Sequence, residues 1–203
     1  MNDETNPKAV PAKAVRSFQV KTVADMLAKL DWELQQLLAA QLSIAPLAMR
    51  VSSYFAINAA ITAFHVADWI WAVASEEQRA AWIAGVQTIK RAGSKARFQI
   101  MMKRKCSEFG LCREIANSSK HLEDDGNTDK NVRTVEPWFI CMPGVAGVHK
   151  AGDPISQHAA ILMVAGKDGM VPAAHVFTRV HAFLEEFCQE NGLICDVSLK
   201  MPD

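Results

Sequence analysis

The chain has 203 residues, twenty-two of them basic and twenty-two acidic, so its formal net charge is zero. That balance removes the global attraction to nucleic acid or anionic lipid that a strongly basic chain would carry. Half of the residues are apolar and 22% are charged, which excludes disorder as the dominant state and suffices for one well-buried core.

Five cysteines, Cys106, Cys112, Cys141, Cys188 and Cys195, form no CxxC pair, and the N-terminus has no apolar run of the secretory kind. A cytoplasmic protein is expected, with cysteines serving as small buried hydrophobes.

Residues 1–18 are polar, carry Pro7 and Pro11, and are expected to form a disordered arm ahead of a single helical domain over 19–203. Thr22 followed by Asp25 three residues on is a capping signature. From there Val23, Met26, Leu27, Leu30, Leu34, Leu37 and Leu38 recur at helical spacing to about Gln41. Pro46 separates that helix from a second, over about 47–74. Residues 55–74 are long enough to span a bilayer. Asn58, His65 and Asp68 lie inside the stretch, and one Asp near mid-span costs about 2.5–3.5 kcal/mol. No membrane is expected; the helix belongs in the middle of a bundle.

Ser75 with Gln78 opens a third helix through Trp82 and Val86. A fourth follows from about Ser94 to His121, with Gly110 as a candidate break. Residues 122–137 are acidic and turn-rich and are expected to form a surface loop. The apolar runs 138–142 and 159–164 read as strands, and Gly166-Lys-Asp-Gly169 as a turn. Helical spacing returns over 173–191 and stops at Gly192; 193–199 is a candidate last strand. The fold class is therefore mainly α: a bundle of four or five helices with a small β-hairpin, about 138–171, inserted before the last helix.

Three features carry chemistry. On the second helix Asn58, Thr62 and His65 lie within about 60° of one another, with Asp68 one turn on. This stripe is either a satisfied network, with Asp68 paired to Arg50 or another cation, or the wall of a polar pocket. On the fourth helix Arg113, Asn117 and His121 share an arc of about 80°, with Lys120 at its edge. They form either a solvated face complementing the helix dipole or a site. Residues 90–105 hold seven basic side chains and no acid, among them Lys103, Arg104 and Lys105. That run either holds phosphates or pairs with nearby acids. Facing the two polar stripes toward each other would satisfy both.

Asn117-Ser-Ser-Lys-His121 at the end of a long helix resembles the HEPN domains, helical proteins of which many are dimeric, metal-independent ribonucleases of toxin, defence and RNA-processing systems. Their signature is an Arg a short step before a His, commonly with a polar residue such as Asn next to the Arg. Here Ala116 precedes Asn117, and seven residues separate Arg113 from His121, so the polar residue and the His fit while the Arg is displaced. The resemblance implies that His121 transfers the proton of a ribose 2′-hydroxyl or of the leaving oxygen. Arg113 or Lys120 would then stabilise the phosphate. No cofactor is implied. His65, Asp68, Glu114 and His121 are a metal alternative of weak pattern, lacking HExxH or a second His pair; no structural zinc is expected. RNA and a second copy are the expected partners, with Trp69, Trp71 and Trp82 as candidate interface aromatics. The other reading is a non-enzymatic interaction or regulatory module whose polar stripe is structural.

Overall fold

A computed structural model describes residues 19–42, 47–87, 93–119, 129, 131–143, 156–167 and 169–194, with backbone alone for 136–143 and 156–160. The fold is mainly α, with a small antiparallel sheet before the last helix. The expected arm over 1–18 lies outside the described residues.

Helix α1 (Val23–Gln41) starts where its cap demands: Asp25 N–H donates to Thr22 Oγ1 at 3.1 Å and Thr22 N–H to Asp25 Oδ2 at 2.9 Å. It buries Val23, Met26, Leu27, Leu30, Leu34 and Leu37, whereas Leu38, on the rim of that stripe, is 44% exposed. Helix α2 (Ala48–Val73) is by length and composition able to cross a membrane. It packs on α1, α5 and α6, and small residues, Ala56, Ala59, Ala60, Ala63 and Ala67, are buried along it. It is not buried all round. Leu47, Val51, Tyr54, Ile57 and Asn58 are exposed.

Helix α3 (Glu76–Ile83) has the Ser75–Gln78 capping box. It ends before Val86 because Gly85, at φ 74°, turns the chain out of the helix. The expected fourth helix is two: α4 (Ser94–Lys105) and α5 (Ser107–Ser118), divided at Cys106, whose backbone is extended at φ −139° and ψ 106°. Lys103, Arg104 and Lys105 close α4 and Glu108 opens α5, the signs that the two helix dipoles favour. Gly110 is not the break. A Cβ there would stand 2.9 Å from Lys103 Cε, so its bareness makes room for the Lys103 stem.

Strand β1 (Arg133–Pro143) begins inside the expected loop, pairs antiparallel with β2 (Ser156–Gly166), and β2 pairs with β3 (Gly169–Pro172). Thr134 and Val135 favour extended backbone, which outweighs the polar residues around them. The register shifts between Val135 and Trp138; Pro137, which has no N–H to give a ladder, falls in that irregularity on an edge strand. Gly166 and Gly169 pair across the predicted turn, Gly169 at φ 120°. Helix α6 (Ala173–Glu190) then packs on α1, α2, α5 and the sheet, and Gly192 at φ 64° follows its end. Of the candidate strand 193–199, Leu193 and Ile194 are described and form none.

The core is continuous through the helices and Val164. At one end Phe98, fully buried, has the rings of Trp71 and Trp82 each at 5.3 Å, and Trp82 lies 5.1 Å from Phe187. Trp82 Nε1 donates to Asn191 Oδ1 at 2.9 Å, satisfying the one polar atom of the indole. Trp69, Trp71 and Trp82 are half-buried against this core and do not form a surface patch.

Candidate nucleic-acid interface

The stripe on α2 finds several partners. Asp68 accepts from Lys95 Nζ at 2.9 Å and from Gln99 Nε2 at 3.2 Å, both on α4. Its cation is thus Lys95 and not Arg50. Thr62, buried, accepts from Lys29 Nζ at 2.6 Å, and the same ammonium pairs with the buried Glu33. Asn58 is exposed and His65 is half-buried, its ring 6.5 Å from that of Phe64. Asp68 and Arg113 therefore end in different networks, and the expected facing of the two stripes does not hold for this pair.

The basic run also divides. Arg97 donates to the carbonyls of Ile83 at 2.8 Å and Val86 at 3.3 Å, and Arg104 to that of Gln87 at 3.1 Å. These bonds tie α4 to the end of α3. Lys105 Nζ lies 5.8 Å from the Phe187 ring centroid, within reach of a cation–π contact. With Lys95 on Asp68, four of the cations serve the fold, and their partners are mostly carbonyl oxygens. Lys90 and Arg91 lie outside the described residues.

Lys103 points elsewhere, and it has company. Glu114 on α5 is buried, accepting Arg113 Nη1 at 3.2 Å and the backbone N–H of Asp129 at 3.1 Å. Asp129 in turn accepts from the backbone and side-chain amides of Asn131 at 3.1 and 3.0 Å. The Asn131 N–H, above all, holds the Asp129 carboxyl below its ordinary range against the opposing effect of burial; the Asn131 side chain, Lys103 and Lys167 add to the lowering. Asn131 also borders a polar depression of about 350 Å³ with Arg133 and Lys167. Arg113 from α5 thus pairs with the buried Glu114, Lys103 from α4 and Lys167 from the β2–β3 turn act on the adjoining Asp129, and Arg133 from β1 shares the depression with Lys167. Arg113 spends one of its donors on Glu114 and remains 37% exposed, free to offer the rest of its fork.

No family model, curated protein or solved structure matches the chain.

Asn117 follows Arg113 by one turn and is half-buried. Lys120 and His121 lie outside the described residues, so the part of the motif that would move protons is not placed. Among the described residues no three His, Cys, Asp or Glu side chains come close enough to hold a metal ion. Burial pushes the thiols of Cys106 and Cys112 up, and that of Cys188 up to about 12, the opposite of what a cysteine nucleophile needs. Lys167, Arg133 and Asn131 were not legible as site residues. The one signal was the glycine-bounded turn, which brings Lys167 back beside Arg133 once the strands pair.

Proposed function

We propose that the protein is an RNA-directed, HEPN-like helical protein that contacts the phosphate backbone through Lys103, Arg113, Arg133 and Lys167. The observation that carries this is the convergence of four cations from four elements beside the helix that bears Asn117. In a chain of zero net charge, a local positive surface needs such clustering, and phosphate binding is its ordinary use. Arg113 is pre-oriented by Glu114, which lowers the entropy lost when it grips a phosphate. In this reading His121 shuttles the proton of the 2′-hydroxyl and Arg113 or Lys120 faces the phosphate, without a cofactor.

Fluorescence anisotropy with a labelled single-stranded RNA tests it. Binding should weaken steeply with salt, and Lys103→Ala, Arg133→Ala and Lys167→Ala should each lower the salt slope by about 0.7. Absence of salt-dependent binding, or slopes unchanged in all three variants, refutes the interface. Cleavage is read separately: it should persist in EDTA and vanish in His121→Ala.

A second observation favours self-association. Leu47, Val51, Tyr54, Asn58, Ile61 and His65 alternate in steps of four and three along α2, the seam of a coiled coil. Four of them are exposed, and α2 carries no charge between Arg50 and Asp68. A second copy presenting the same uncharged seam across a two-fold axis is the partner this matches. Light scattering at micromolar concentration should give twice the 22.3 kDa chain mass and Tyr54→Glu should halve it. A monomer at every concentration ends the dimer reading.

A further inference from the structure

Where α2, α5, α6 and the sheet meet, the small side chains of Ala56 and Ala173 leave a cavity of about 330 Å³. Both alanines are buried, and Phe177 in the same wall is fully inaccessible. The cavity opens to solvent on one side and has room for about eleven waters at ~30 Å³ each. Such waters would find few partners. Among the described lining residues Ser53 and Thr134 alone carry hydroxyls, and Ser53 Oγ already donates to the Met49 carbonyl at 3.0 Å. Among the described lining residues no side chain is charged. The entrance is marked by the two lining residues that are themselves exposed, Ile57 and Thr134. Thr134 therefore stands at the mouth, and behind it lie the buried, apolar Ile115 and Val164.

We infer that this cavity binds an uncharged, mainly apolar small molecule carrying one hydroxyl or carbonyl group. Its volume is at the lower end of ligand pockets, which are apolar with a few placed polar groups. The apolar body would displace poorly bonded water, and the polar end would meet Thr134 at the entrance or the Ser53 hydroxyl oxygen in the wall. None of the four cations of the basic surface lines the cavity, so the site stands independently of the RNA reading.

Octanol and naphthol are suitable probes. Each should raise the Tm of the whole protein by a few degrees in a saturable way, and Ala56→Leu, which puts hydrocarbon into the void, should abolish the rise. No saturable rise with either probe overturns the site, as does an undiminished rise in folded Ala56→Leu. Overpacking can itself unfold a core, so a second reading uses the unaltered protein with labelled methyl groups. Saturable shifts concentrated at Ile57 and Ile115 support the cavity; shifts that are absent or spread over surface methyls overturn it.

Discussion

Glu114 concentrates the physics of the candidate site in one side chain. A carboxylate that is 4% exposed is tolerated only when paired and hydrogen-bonded, and here one oxygen takes Arg113 while the other takes the Asp129 amide. Glu114→Gln keeps the shape but sets an amide NH2 against one of those donors. The expected cost is about 1–3 kcal/mol in urea unfolding. A change within about 0.5 kcal/mol, as for ordinary surface positions, would show that the pairing is not structural. Sequence spacing placed Arg113 on an arc with Asn117. It did not reveal that Glu114, one residue on and on the adjoining side of the helix, is the group that holds it.

Among the elements, α1 and α3 start at the capping pairs the sequence announced, α1 most completely. Thr22 and Asp25 satisfy each other's amides, and Thr22→Ala should cost about 1 kcal/mol. The Lys21 N–H, chiefly, holds the Asp25 carboxyl below its ordinary value of 3.8, with burial opposing and Thr22 reinforcing. A depressed value in the folded state means that the ionised form favours folding. The contribution is therefore whole above pH 3.8 and fades as pH falls through the lower folded value. The stability gap between the native protein and Asp25→Asn should accordingly shrink in acid; a gap that stays constant below pH 3.8 refutes this cap. The break at Cys106 was hidden, since the apolar spacing of Phe98, Met102, Cys106, Phe109, Cys112 and Ala116 runs through it without interruption. The change from Lys103–Lys105 to Glu108 was the available sign, readable only as a dipole argument.

Across the whole molecule, Phe98 is the joint of the far end. It is fully buried among Trp71, Trp82 and Phe187, which come from α2, α3 and α6. Phe98→Ala should cost about 3–5 kcal/mol and quench the shared tryptophan environment, seen as a red shift of fluorescence. A smaller loss, with emission unchanged, would mean that the three rings do not depend on it. The tryptophans looked like interface material because large aromatics are common there; two of them, Trp71 and Trp82, pack against this one phenylalanine. Apolar surface is left exposed elsewhere, among it Leu47 at the start of α2 and Val51, Tyr54 and Ile57 along it.

The division between sequence and tertiary structure follows from the range of the forces. Caps, turn glycines and apolar periodicity act over a few residues, so the amino-acid order alone set the helix starts at Thr22 and Ser75, the turn at 166–169, the stop at Gly192 and the mainly α class with its β insertion. Pairing of charges is decided by whichever partner the fold brings within 4 Å, and no spacing rule reaches from Asp68 to Lys95 or from Arg104 to the Gln87 carbonyl. Tertiary structure alone therefore chose which cations became fold contacts, and which, Lys103 with Arg113, Arg133 and Lys167, were gathered into one surface. The same holds for the cavity beside Ala56 and Ala173, because a void belongs to the meeting of several elements and to none of them alone.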